Sequence, residues 1–121
     1  MLKKIVLLLA FFIATIGSWG QSSNHAPDCL DSLQIMSAFS PNGDSANDVF
    51  SVYFPCTPEE FKITIFNRWG EEVYASKSSS FEWDGKNTKG IDLSEGVYFY
   101  IVQYTFQSVE KKINGNVTLM R

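Results

Sequence analysis

From residue 33 onward, apolar side chains recur at every second position in short runs, and polar clusters rich in Gly, Pro, Asn and Ser separate the runs. Period two marks half-buried strands, because successive side chains of a strand point to opposite faces. Residues 33–39 predict a first strand. Residues 49–54 predict a second, with Phe50, Val52 and Phe54 on one face and Pro55 ending the pairing. Residues 61–66 are β-branched and aromatic, with Phe61, Ile63 and Ile65 on the expected core face. Asn67-Arg68-Trp69-Gly70 turns the chain, and 71–75 returns as a hairpin partner.

A polar connection over 76–80 then leads to a short edge segment, 81–83, closed by Asp84-Gly85 and a loop over 86–90. Residues 96–106 predict the longest strand, and 109–120 closes the domain after a turn near Gln107-Ser108. No window of helical periodicity appears in this region. About seven strands, spaced roughly 8 to 12 residues apart, predict a two-sheet antiparallel sandwich.

The first twenty residues follow a different pattern. Lys3 and Lys4 precede a short apolar run, 5–16, and Ser18-Trp19-Gly20 supplies small residues where a signal peptidase reads. Residues 1–20 are therefore expected to be a signal peptide, since the run is shorter than the roughly 20 residues that span a bilayer. Gln21, not a cysteine, directly follows the expected cleavage point, which argues for a soluble chain in the periplasm rather than a lipid-anchored one. Removing twenty of 121 residues leaves 101, enough for one domain with a single core. The expected division is a leader over 21–32 and one domain over 33–121.

Ten Phe, five Tyr and three Trp, most of them beyond residue 20, supply the side chains for that core. Beyond residue 20 the chain carries eight Lys or Arg (the ten without Lys3 and Lys4) against thirteen Asp or Glu, a net charge of −5 with His25 neutral. Nucleic acid is excluded as a partner, because phosphate binding requires concentrated positive charge. Cys29 and Cys56 are routed to an oxidising compartment and are expected to pair. The bridge would close a loop over 29–56, or 28 residues, stabilising the fold by about 3 to 4 kcal/mol on chain entropy. Two cysteines and the distant His25 cannot supply the four ligands of a zinc site.

Three motifs carry a resemblance over nearly the whole of 36–121. The first is Phe39-Ser40-Pro41-Asn42-Gly43-Asp44 with Asn47-Asp48 and Phe50, and the second is Ile65-Phe66-Asn67-Arg68-Trp69-Gly70 with Val73-Tyr74. The third is Trp83-Asp84-Gly85 followed by Gly96-Val97-Tyr98. In this order and spacing they resemble the gliding motility-associated C-terminal domain, the type B sorting domain of the type IX secretion system. Trp-Asp-Gly followed by Gly-x-Tyr also occurs in related immunoglobulin-like modules, so the first two motifs separate the sorting family. Ser45 departs from the pattern, standing where that family usually has glycine. The fold expected is all-β, an immunoglobulin-like antiparallel β-sandwich of about seven strands.

The resemblance implies a secretion-targeting and cell-surface attachment module whose partner is the type IX machinery of the outer membrane. Final location would be the cell surface or the medium, with the periplasm in transit, and the domain is expected to travel without upstream cargo. The candidate recognition residues are Asn67, Arg68, Trp69, Gly70, Trp83, Asp84 and Gly85, with Lys112, Ile113, Val117, Leu119 and Arg121 in the last strand. That strand resembles the family's last, which ends at or near the terminus, and an edge with free backbone groups suits docking by strand addition.

Structural roles compete with recognition at each motif. Asn67 and Gly70 suit a tight turn, Trp69 is placed to cover the end of the core, and Arg68 to make a cation–π contact or hold a carboxylate. Trp83 reads as an indole pinned under a turn with Asp84 accepting backbone hydrogen bonds, and Gly96 as a close strand entry. The loop 42–48 concentrates oxygen ligands around a glycine, so calcium held by Asp44, Asp48, Asn42 and Asn47 stands against an Asx-rich turn that caps its own backbone. Calcium is the sole cofactor to be considered.

An enzyme is not expected, and no small-molecule substrate is implied. The single histidine, His25, precedes the fold, and the pairs Glu59-Glu60 and Glu71-Glu72 and the stretch 92–95 read as solvated turns. A second reading is a secreted binding module for a surface glycan or protein, with Tyr98, Tyr100 and Tyr104 on one face of the longest strand as an aromatic platform. Buried rings would rule that platform out.

Overall fold

The computed structural model describes Gly17, Gly20 and residues 33–121. Within them the chain forms seven strands: β1 (Gln34–Ile35), β2 (Ala38–Phe39), β3 (Val52–Tyr53), β4 (Glu60–Phe66), β5 (Glu72–Ser76), β6 (Gly96–Phe106) and β7 (Val109–Leu119). Five of them make one sheet in the order β2-β7-β6-β4-β5, and β1 pairs with β3 in a second, two-stranded layer. The all-β sandwich expected from the sequence is what forms.

The alternation in β4 and β6 decides which face is inside. Phe61, Ile63 and Ile65 of β4 are buried, as are Tyr98, Tyr100, Val102, Tyr104 and Phe106 of β6. Val52 of β3 closes over them, along with Phe50, which pairs through both backbone hydrogen bonds with Trp83. Trp83, Phe39 and Phe50 are wholly buried, with ring centroids 5.2 to 6.5 Å apart. Offset and edge-on ring contacts of this kind add specific geometry to the area they remove from water.

Three expectations need correction. Residues 33–39 do not form one strand: β1 lies in the small layer and β2 in the large sheet, with a bend at Ser37 between them. The sandwich is not wholly antiparallel, because β2 runs parallel to β7, pairing Ala38 with Thr118 and Phe39 with Leu119. A strand that changes sheets gives both layers a share of one short apolar run, which periodicity alone cannot distinguish from a continuous strand. Gly96 is not a close approach, since a Cβ there would meet open space; its φ of 144° is what glycine permits.

A bulge in the β4–β5 hairpin was not visible in the sequence. Ile65 pairs with Tyr74 but Phe66 pairs with Glu72, so Val73 is the extra residue. The shift lets consecutive residues point inward: Val73 is buried, while Tyr74 packs on Phe81 and Trp83.

Candidate functional site

The turn between β4 and β5 is built by Asn67. Its Oδ1 accepts from the backbone N–H groups of Trp69 and Glu71, both at 3.0 Å, while its Nδ2 donates to Glu71 Oε2 at 3.2 Å. Gly70 N–H donates back to the Asn67 carbonyl. Asn67 and Gly70 thus shape the turn and leave the next two side chains to solvent. Trp69 does not cover the core end as expected: it is 71% exposed, with the Arg68 guanidinium 4.3 Å from its ring centroid. The cation–π contact restrains both side chains where they stand in solvent.

The Trp83-Asp84-Gly85 motif faces inward. Trp83 Nε1 donates to the Lys86 carbonyl at 2.8 Å, and Asp84 Oδ1 accepts from Lys86 N–H at 3.3 Å. A Cβ on Gly85 would lie 3.0 Å from Leu119 Cδ1, so glycine lets the last strand pack against this turn. Arg121 completes the junction. Its Nε donates to the Leu93 carbonyl at 2.9 Å and a terminal nitrogen donates to the Gly85 carbonyl at 3.1 Å, with Asp92 at 3.7 Å. The candidate recognition residue at the end of β7 is therefore a tether that ties the loop over 85–93 to the sheet.

The remaining candidates in β7 divide by face. Val117 and Leu119 are core residues, and Ile113 is half-buried against the core. Lys112 is exposed on the outer face. What β7 offers a partner is its backbone. Thr118 N–H donates to the Ser37 carbonyl, so by the alternation of the ladder the peptide groups of Asn116, Asn114, Lys112 and Glu110 turn the same way. Among the described residues no strand pairs with them, because β2 covers β7 at Thr118 and Leu119 alone.

The loop 42–48 is folded around its own side-chain-to-backbone hydrogen bonds. Asp48 Oδ1 accepts from the N–H groups of Asn42 and Gly43, and its Oδ2 accepts from Ser45 N–H at 2.8 Å. Asn42 Oδ1 accepts from Asp44 N–H, and Asp44 Oδ1 from Ala46 N–H. Both Asp48 oxygens, Asn42 Oδ1 and Asp44 Oδ1 are thus engaged with backbone amides, the pattern of an Asx-rich turn. Asn47 lies here with φ 52°, and Ser45, at the position where glycine is the usual residue of the resembled family, has φ 64°. Among the described residues no three His, Cys, Asp or Glu side chains gather as a metal site would need.

Tyr98, Tyr100 and Tyr104 are 5%, 7% and 3% exposed, so the proposed aromatic platform does not exist. Tyr98 donates its hydroxyl proton to the Ser94 carbonyl at 2.7 Å. Burial pushes the Tyr100 hydroxyl above its ordinary pKa, and burial followed by the Asp84 charge does the same at Tyr74 against a hydrogen bond from Ser76. Cys56 is not a free thiol, but Cys29 lies outside the described residues, as do His25, the leader and most of the expected signal peptide. No helix among the described residues is long and apolar enough to cross a membrane.

The described residues form a β-sandwich with an exposed turn between β4 and β5 and a last strand whose outer edge is paired, among them, at Thr118 and Leu119. Residues 33–119 match the CHU_C type IX secretion signal domain, and the chain belongs to that family. Its fold is similar to part of PorZ, an essential bacterial surface component of the type IX secretion system of Porphyromonas gingivalis. The likeness has a TM-score of 0.52 at 20% identity, and it covers 77% of this chain but 12% of PorZ. No protein of curated function matches the chain.

Proposed function

We propose that this protein is a sorting module that the type IX secretion machinery recognises in folded form and carries to the cell surface or the medium, with no catalytic step of its own. Membership of the secretion signal family supports the route. The observations that carry the mechanism are an edge of β7 that is unpaired over 110–116 among the described residues and the exposed Arg68–Trp69 turn. A partner strand added to β7 would gain main-chain hydrogen bonds at no cost in unfolding the sandwich, and the turn would supply side-chain specificity. Residues 1–20 would direct the chain to the periplasm first, and Cys29 would pair there with Cys56.

Fractionation of the native host, with and without a working type IX channel, tests this reading. The chain should be found at the surface or in the medium when the channel works, and should collapse into the periplasm when it does not. A distribution indifferent to the channel would overturn it.

A further inference from the structure

The uncovered stretch of β7 has the residue pattern of a strand that pairs with itself. Thr118 and Met120 turn their N–H groups to the carbonyls of Ser37 and Phe39. The even-numbered residues before them, Glu110, Lys112, Asn114 and Asn116, therefore present both backbone groups to that same side. Among the described residues β2 occupies the side at Thr118 and Leu119 alone. The odd-numbered residues turn the other way, into the β6–β7 ladder.

When a second β7 is laid antiparallel along this stretch, with even residues facing even residues, charge selects one register. A pairing centred on Ile113 uses the whole of 110–116. Lys112 then stands opposite Asn114 of the second copy, Glu110 opposite Asn116, and Lys111 opposite Gly115. Each charged side chain of the outer face meets an amide, which accepts from an ammonium group and donates to a carboxylate. Gly115 leaves room for the Lys111 stem, and Ile113, packed against the core of its own copy, meets its counterpart at the axis.

The neighbouring registers are blocked. Centring on 112, 111 or 110 sets Lys112, Lys111 or Glu110 against its own like charge, and centring on 114 brings Glu110 against Thr118, where β2 already lies. Edge lysines ordinarily deter pairing; these two deter the wrong registers and leave one open. We propose that the chain forms a two-fold dimer through this edge, a second copy of β7 joining the two five-stranded sheets into one. About eight main-chain hydrogen bonds make a contact smaller than the roughly 1,200 Å² of a stable complex, so the dissociation constant should lie near about 0.1 mM. The dimer does not rest on the sorting reading. It covers the edge that reading gives to the secretion machinery, which would have to displace the second copy.

Sedimentation equilibrium of the purified chain, from about 5 µM to about 1 mM, should show the mass rising from one chain towards two. Hydrogen exchange at the upper concentration should add protection at the amides of 110, 112, 114 and 116, and none at 111, 113 and 115, which β6 already holds. Asn114 is exposed, so charge is introduced there without touching the core. Asn114→Glu sets a carboxylate against Lys112 of the other copy on both sides of the axis and should tighten the dimer about fivefold; Asn114→Lys should weaken it about fivefold. Asn114→Pro removes an edge N–H that β6 does not use and should abolish the dimer, with a thermal melt to check that the variant folds. A chain that stays monomeric throughout, concentration-dependent protection elsewhere, a dimer that survives the proline, or Glu and Lys variants that shift the same way overturns the proposal. None of these measurements needs a secretion channel, so a dimer without export, or export without a dimer, separates its failure from that of the sorting reading.

Discussion

Tyr100 and Gly115 face one another across the β6–β7 ladder, and the tyrosine ring occupies the space that any side chain at 115 would need. The ring cannot swing aside, because it is buried and packs on Phe50 at 5.4 Å between centroids. Gly115→Ala should therefore destabilise the domain by about 1 to 3 kcal/mol, the usual cost of overpacking. A urea titration checks this: the midpoint should fall with an unchanged slope. An unmoved midpoint would show that the core yields at this point.

Ser45 holds a left-handed φ of 64° while its N–H donates to Asp48. A non-glycine residue pays about 1 to 2 kcal/mol for that conformation, and glycine returns part of the gain as extra freedom in the unfolded chain. Ser45→Gly should raise stability by about 0.5 to 1 kcal/mol, visible as a shift of a few degrees in Tm for a domain of this size. A lowered Tm would mean that the serine side chain contributes more than its backbone costs.

Asp48 gathers three backbone N–H groups on one carboxylate. Because the bonds are exposed to solvent, Asp48→Ala should cost about 1 to 2 kcal/mol rather than the sum of three buried charged hydrogen bonds. Millimolar calcium and chelator should each leave the Tm of the parent chain where it was. A calcium-dependent rise, lost in Asp48→Ala, would restore the metal reading of the loop.

The two tyrosines with raised pKa values set an alkaline limit. Above the ordinary tyrosine value of 10.0 the unfolded chain ionises while Tyr100 and Tyr74 in the fold resist, so the unfolded state gains and stability falls as pH rises. Below that value their contribution is fully present. Denaturant titrations from neutral pH to above pH 10 should show a flat region followed by a decline, and Tyr100→Phe should make the decline shallower. A decline of the same steepness in that variant would assign the effect elsewhere.

Trp69 stands away from the core, so its loss has little to do with folding. Trp69→Ala should change stability by no more than about 0.5 kcal/mol, as surface substitutions do, while reducing the fraction of the chain that leaves the periplasm. Arg68→Ala should act in the same direction, since it removes the cation stacked on that ring. Full export of both variants would confine recognition to the β7 edge.

Much of the site was legible because its signals are local. Asn67 and Gly70 mark a turn by their own conformational preferences, and Ser45 stood out because the resembled family usually has glycine there, at what the structure shows to be a left-handed position. The partition of the motif residues was not legible. Trp69 and Trp83 are the same residue type in turn-like settings, yet one is 71% exposed and the other wholly buried. Arg121 was expected among the recognition residues of the last strand, and its hydrogen bonds to the carbonyls of Leu93 and Gly85, distant in sequence, could not be read there.

The sequence by itself determined the long strands β4, β6 and β7, the inward face of β4, and the family, because side-chain alternation and turn chemistry act over a few residues. Only the tertiary structure decided the parallel pairing of β2 with β7, the bulge at Val73, the seat of Tyr100 over Gly115, and the stretch of β7 that β2 leaves uncovered. Each of these depends on the register between segments brought together by folding. A shift of one residue in that register would turn every side chain to the opposite face, and nothing within a single strand records which register is taken.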